Sequence, residues 1–399
     1  MLFIALLIAA LVIYLVQMWI FDKHTFDHLE YDVKLSAEEV FEGEDIFMYE
    51  ELANAKDMPI PTVRVDTELP EGLRFRVADR KDRTGKKDAF QQYMQSAFVL
   101  RGRQKIRRRW RVNCQTRGVY TLGHALMVTN DMFGYNASSK AIVAQPSRFN
   151  QVVVLPRAID LDKHFTSSRY HSGEVPVLRS LISDPLLLAG TREYLPNDPM
   201  NKINWMSTAA HGKLMVNIEE YTQQHMFNII LNMQSRSREN HLHVPSSPEY
   251  IELCITVAAS ILDKISSDNV SVRLFANTPP ETVGREPLSE DEIGSQVLVT
   301  QSFRGKQDVI AALRLLAALK MEISCPFEKM LDHISACPEY YANAGNIVLI
   351  SSYLDERMIN FHQIMRNQGV NVMFYITTAN QNALMIPDEI EVYYKTFIA

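Results

Sequence analysis

No Gly-x-Ser-x-Gly, no phosphate-binding glycine-rich loop and no His-Glu-x-x-His occurs in the 399 residues of this chain. Serine hydrolases, P-loop nucleotide hydrolases and zinc peptidases that announce themselves by those motifs are thereby excluded. Cysteine is scarce as well. Cys114, Cys254, Cys325 and Cys337 lie far apart, with neither Cys-x-x-Cys nor metal-ligand spacing, so nothing points to a redox pair or a metal cluster. Cys254 stands in an apolar setting that suits a reduced, buried thiol. Gly/Ser-rich linkers are absent, and a formal net charge of −6 argues against a general nucleic-acid binder.

What is present is ordinary globular material, 47% hydrophobic and 22% charged, in a chain long enough for two domains. One segment departs from it. Leu2 to Ile20 carries no charged side chain, and at about 1.5 Å per residue such a helix crosses a hydrocarbon core of about 30 Å. No Lys or Arg precedes the run, and the bulky Met18-Trp-Ile-Phe21 offers no small-x-small cleavage site. The expectation is an uncleaved transmembrane anchor over residues 1–24, giving a single-pass protein of the cell membrane. Lys23 and Lys34 follow the run, and this bias favours a cytoplasmic main body.

Residues 25–140 read as short strands, at Tyr31 to Leu35, Asp45 to Leu52, Pro61 to Val65, Leu73 to Val77, Ala97 to Leu100, Lys105 to Asn113 and Val119 to Leu122. Turn chemistry such as Leu69-Pro-Glu-Gly72 bounds them, and strands of this kind predict a β-sandwich domain. Within it, Arg101, Arg103, Lys105, Arg107, Arg108, Arg109 and Arg111 form a dense basic run. The plain expectation is a strand with solvated basic side chains and with Ile106, Trp110 and Val112 facing inward. The sharper one is that Arg107, Arg109 and Arg111 face anionic lipid.

Residues 141–220 form a connector, and from 221 to 399 the pattern changes. Apolar strands at Met226 to Asn232, Val270 to Ala276, Asn346 to Ile350 and Asn371 to Thr377 alternate with helical periodicity at Ile251 to Ile265, Gln307 to Lys320 and Leu354 to Gln368. Such alternation predicts βαβ units and a mostly parallel sheet. Pro279 to Ser295 reads as an exposed loop.

The connector ends in the most distinctive stretch, Arg192 to Glu220. Pro196, Asn197, Asp198 and Pro199 form a turn, and Ile203, Trp205, Met206 and Ala209 then recur at helical spacing until Gly212 stops them. Arg192, Tyr194, Asp198, Asn204 and Trp205 resemble the signature of bacterial "domain of unknown function 58" proteins. Arg117-Gly-Val-Tyr-Thr-Leu-Gly123, Asn130-Asp-Met-Phe-Gly134 and Val154-Leu-Pro-Arg157 are similar to that family's other landmarks in the same order. Asn197 departs from the pattern, standing where the family usually has Gly. The resemblance implies a fold class of multidomain α/β plus all-β, with an N-terminal transmembrane helix, a β-sandwich and a von Willebrand A-like, Rossmann-type α/β domain. It also implies a MoxR-type AAA+ ATPase as partner. Trp205 is expected in the core beside Ile203 and Met206, and Arg192 is expected to pair with Asp198.

A von Willebrand A domain holds a divalent cation through Asp-x-Ser-x-Ser after its first strand and a second Asp after a later one. Here Asn232, Gln234 and Arg236 occupy the first set and Ser352 the second Asp. The expectation is therefore a degenerate cation site, with the Arg236 guanidinium beside it and no carboxylate next to Ser235 or Ser237. His241 and His243, with Glu239 and Glu249 nearby, read as solvated loop residues. No catalytic residue, metal ligand, cofactor, small-molecule substrate or nucleic acid is expected. The functional expectation is a non-enzymatic, membrane-anchored interaction module, an adaptor for the ATPase in complex assembly. The alternative is an extracytoplasmic adhesion or envelope-assembly protein with inverted topology, and a metal-dependent enzyme stands third.

Overall fold

The computed structural model describes residues 8–9, 12, 14, 26–77, 89–130, 137–143, 147–167, 190–194, 205–218, 226–237, 239, 244–266, 270–280, 296–341, 344–378 and 390–395. Contacts divide the chain into two units, Met1–Arg157 with Arg314–Ala318, and Ala158–Leu313 with Leu319–Ala399.

The first unit is built from twelve described strands: β1 (Leu29–Leu35), β2 (Glu39–Phe41), β3 (Asp45–Asn54), β4 (Ile60–Glu68), β5 (Leu73–Val77), β6 (Ala89–Gln91), β7 (Tyr93–Leu100), β8 (Lys105–Cys114), β9 (Gly118–Thr121), β10 (Ala125–Asn130), β11 (Ala137–Ile142) and β12 (Gln151–Leu155). They make sheets of order β1-β3-β8-β5-β6 and β11-β10-β4-β7, and a third, β2-β12-β9. Alternation sets the faces. Along β3, Ile46, Met48, Glu50 and Leu52 point inward, while Phe47 and Tyr49 stay half-buried. Leu52 of the first sheet shares a buried cluster with Val63, Val65, Phe98, Leu100 and Met127 of the second, so the two sheets pack face to face. Truncating one such leucine to alanine costs about 2–5 kcal/mol. At the expected Leu69-Pro-Glu-Gly72 turn, Gly72 adopts φ 96°, and a Cβ there would strike the hydroxyls of Thr116 and Tyr120; glycine alone fits.

The second unit contains α1 (Leu161–His164), β13 (Phe165–Ser167), β14 (Gly190–Glu193), α2 (Trp205–His211), β15 (Met215–Ile218), β16 (Met226–Leu231), α3 (Pro248–Ser266), β17 (Ser271–Ala276), β18 (Leu298–Val299), α4 (Gly305–Ala318) up to Leu313, α5 (Phe327–Ala336), β19 (Ala344–Ser351), α6 (Glu356–Asn367), β20 (Asn371–Ile376) and β21 (Glu391–Lys395). A seven-stranded sheet runs β13-β21-β20-β19-β16-β17-β18, and β14 pairs with β15 separately. Pairings from β21 through β17 are parallel, and β13 and β18 close the edges antiparallel. The Met226-Phe-Asn-Ile-Ile-Leu and Asn371-Val-Met-Phe-Tyr-Ile runs are buried beyond their first residues, as strands covered on both faces require. On α3, Ile251, Ile255, Ala258, Leu262 and Ile265 are all buried, which is the face that the helical spacing marks.

The expected fold class needs correction. By strand content the chain is mainly β, with 21 strands in five sheets against six α-helices among the described residues. It is not assigned as a Rossmann-type, von Willebrand A-like α/β protein. The helix–strand alternation after residue 221 dominates the sequence pattern, yet most strands belong to antiparallel pairings outside it, and the seven-stranded sheet itself is mixed. The transmembrane helix and single-pass membrane localisation are corrected too. Among the described residues no helix is long and apolar enough to cross a membrane, and most of residues 1–24 lie outside those described.

Candidate functional site

Each parallel strand from β16 to β20 hands over to a short polar residue at its carboxyl end: Asn232 after β16, Asn277 after β17, Ser351 closing β19 with Ser352 next, and Thr377 after β20. All five are buried. Asn232 accepts the Gln234 N–H at 2.9 Å and donates through Nδ2 to Ser351 Oγ at 2.9 Å. Asn277 accepts the Met233 N–H at 2.8 Å and donates to the Cys325 carbonyl at 3.1 Å. Gln234 Oε1 takes the Phe327 N–H at 2.8 Å, which is the first amide of α5, and the Tyr353 hydroxyl at 3.4 Å. Ser352 Oγ lies 3.0 Å and 2.8 Å from the carbonyls of Gln234 and Ser235.

This geometry brings Asn232, Gln234 and Ser352 together as the sequence anticipates, but it does not bring Arg236 to them. Arg236 is exposed, and the expected guanidinium beside the site is corrected: its place in the loop points it to solvent, where its charge costs nothing. The expectation of no neighbouring carboxylate is also corrected. Glu239, buried, accepts the Ser235 N–H at 2.7 Å and the Ser246 N–H at 2.5 Å, and Asp355 Oδ2 accepts the Ser237 hydroxyl at 3.2 Å. Burial works against ionising Glu239, but the hydrogen bonds from Ser246 and Ser235 outweigh it and hold its carboxyl below the ordinary glutamate range. Burial, chiefly, pushes the Tyr353 hydroxyl well above its usual range, so it stays a neutral donor.

Chemically, the cluster is a closed network in which amide and hydroxyl side chains spend their capacity on one another and on loop backbone. Thr278, buried beside Asn277, is the exception, with a hydroxyl that finds no partner. Among the described residues no three His, Cys, Asp or Glu side chains come together as a metal-holding group. His241 and His243 lie outside the described residues, and Glu249 is exposed. Sequence reasoning passed over Asn277, Ser351 and Asp355, and it named Glu239 only beside His241 and His243 in a loop read as solvated, whereas Glu239 is buried. Asking which residue follows every parallel strand, beyond those of the expected motif, finds two of them.

The signature segment is different. Arg192 lies on β14, opposite Val216 of β15, and the Tyr194 N–H donates to Leu214 O at 2.8 Å. Asp198, Asn204 and the Pro196 to Pro199 turn lie outside the described residues. Helix α2 ends where Gly212 takes φ 67°, as the sequence predicts. Trp205 is not in the core: it is 68% exposed, Met206 86% and Leu214 44%.

In the first unit, the basic run from Lys105 onward lies on β8, and its outward arginines rest on β3. Arg107 lies 4.0 Å over the Tyr49 ring, and Arg109 and Arg111 lie 4.8 Å and 5.8 Å from the Phe47 ring centre. Glu51 takes Lys105 at 2.7 Å, Lys34 at 3.3 Å and Arg107 at 3.4 Å. On the inner face, buried Glu50 accepts from Ser96 at 2.9 Å, Trp110 Nε1 at 3.0 Å, Tyr31 at 3.3 Å and Thr67 at 3.4 Å. Its inward position in the alternation of β3 was legible, though it was passed over.

No family model matches the chain, and no curated protein matches it. Among solved structures it is similar to native Escherichia coli α2-macroglobulin from domain MG7 to the C-terminus, at 11% identity over 32% of this chain and 23% of that one, with a TM-score of 0.22. The CARDB domain of a Pyrococcus furiosus protein, in complex with di-metal ions, aligns at 10% identity over 33% of this chain and 98% of that one, with a TM-score of 0.20. A Listeria innocua β-glucosidase aligns at 10% identity over 32% of this chain and 16% of that one, with a TM-score of 0.16. The chain thus spans about a quarter of the first of these structures, and likenesses of this size establish neither fold nor activity.

Proposed function

We propose that this chain acts by binding another protein and not by catalysis. The observation that carries the reading is the exposure of the consecutive residues Trp205 and Met206 at the start of α2, with Leu214 also exposed. Single exposed apolar residues are common, but Trp and Met are enriched at protein interfaces, and a Trp held outside the core is costly unless something covers it. The strand-end cluster favours the same reading from the other side, because its polar groups, the Thr278 hydroxyl excepted, are committed internally and offer no nucleophile paired with a base. The resemblance of the 192–220 segment to the "domain of unknown function 58" signature makes a MoxR-type AAA+ ATPase the first partner to try, with this chain as its adaptor in complex assembly.

The test is affinity purification of the tagged full chain beside Trp205→Ser/Met206→Ser, with bound proteins identified by mass. A partner held by the parent and lost from the variant, at unchanged thermal midpoint, supports the reading. Identical protein sets from both would remove α2 as the contact.

A further inference from the structure

Strand register turns the basic run of β8 into an ordered array. Phe47 pairs with Arg111, Tyr49 with Arg109 and Glu51 with Arg107, so Arg107, Arg109 and Arg111 stand in one row on the outer face of the β1-β3-β8-β5-β6 sheet, spaced about 6.6 Å apart by the strand repeat. Half or more of the Arg107 and Arg111 side chains stays accessible, and Arg109 is exposed. The outer two are partly neutralised, Arg107 by Glu51 at 3.4 Å and Arg111 by Asp45 at 3.9 Å. Arg109 has no carboxylate partner among the described residues. The aromatic rings beneath hold the guanidinium planes in place, which lowers the entropy lost when a ligand engages them.

We propose that this row docks an extended acidic segment of a partner protein, with carboxylates at alternate positions and its central carboxylate on Arg109. The inference rests on the protein-binding reading and names a second contact for it. The spacing selects the ligand: side chains on one face of an extended peptide repeat at the same about 6.6 Å, so three carboxylates meet three guanidinium groups in register, and the central one can form a two-pronged pair with Arg109. Single-stranded nucleic acid fits less well. Its binding relies on bases stacking on open aromatic faces, and the rings of Tyr49 and Phe47 already carry guanidinium groups.

The experiment is fluorescence anisotropy of the full chain with labelled Ser-Asp-Ser-Asp-Ser-Asp-Ser against Ser-Ser-Asp-Asp-Asp-Ser-Ser, two peptides of equal charge. The alternating peptide is expected to bind about two- to fivefold tighter, the scale of one exposed ion pair. Arg109→Gln should remove that preference, and Lys163→Gln, an equal loss of charge at an exposed side chain of α1, should keep it. Equal affinity for the two peptides, or an unaltered preference in Arg109→Gln, overturns the proposal. So does tighter binding of an oligothymidylate or of phosphatidylserine vesicles than of the alternating peptide, since either makes a different polyanion the ligand. If the peptides fail while Trp205→Ser/Met206→Ser still loses its partner, the acidic-segment proposal falls alone. If the alternating peptide passes while that variant keeps every partner, the contact through α2 falls and the β8 row stands.

Discussion

The strand-end cluster and the signature helix, both in the second unit, treat their side chains in opposite ways. Around Asn232, Gln234, Asn277 and Ser352, polar groups are buried and hydrogen-bonded to one another and to nearby backbone. Around Trp205, Met206 and Leu214, apolar groups are left in solvent. The first location is spent on closing the loops, while the second carries the unspent surface. Position in a fold therefore says less about function than whether the groups there are already satisfied.

Four variants sharpen the contrast, from the largest effect on stability to the smallest. The first carries it into the first unit: Glu50→Ala leaves Ser96, Trp110, Tyr31 and Thr67 without their buried acceptor, and urea unfolding should show a loss of about 3–5 kcal/mol. Asn232→Ala removes a donor to Ser351 and the acceptor of the Gln234 N–H; a loss of about 2–3 kcal/mol is expected from the orphaned partners and the small void. Glu239→Gln should cost about 1–2 kcal/mol at neutral pH.

That third loss depends on pH in a fixed direction. A carboxyl depressed in the folded state contributes stability that is fully present above its unfolded pKa and is lost as pH falls through the folded one. The difference between Glu239→Gln and the parent should accordingly shrink below about pH 4, the ordinary glutamate range, in unfolding curves taken across pH. A gap that widened on acidification would mean that Glu239 is folded in its neutral form. The smallest effect belongs to Trp205→Ser/Met206→Ser, expected within about 0.5 kcal/mol of the parent, as for surface changes away from the core.

Much of the local structure was readable because burial writes a period into the sequence. The runs at Met226, Asn346 and Asn371 are strands and Ile251 to Ile265 lies within a helix, since both kinds of pattern come from which faces meet the core. In the first unit β2, β6, β10, β11 and β12 were missed; of these, the Ala137-Ser-Ser-Lys-Ala-Ile142 strand is mostly exposed and so carries no apolar alternation. The overall class was misjudged because the helix–strand grammar after residue 221 outweighed the more numerous antiparallel strands. Asn232 and Ser352 were placed together by comparison with a metal motif. Glu239 and Asp355 were not, because a carboxylate that reaches a loop from four residues away, or from the next helix cap, leaves no spacing to read. Trp205 was expected inside because Ile203 and Met206 accompany it at helical spacing, and exposure of an aromatic residue is set by what the rest of the fold fails to cover.

The most direct measurement sets Trp205→Ser/Met206→Ser beside Asn232→Ala, reading the thermal midpoint and the retained partner on the same preparations. Dividing structure and binding between the two regions predicts that the helix variant keeps its midpoint within about 2 °C and loses the partner. Asn232→Ala should melt several degrees lower and, kept below its midpoint, still hold it. A helix variant that melts as low as Asn232→Ala while retaining the partner would contradict that division.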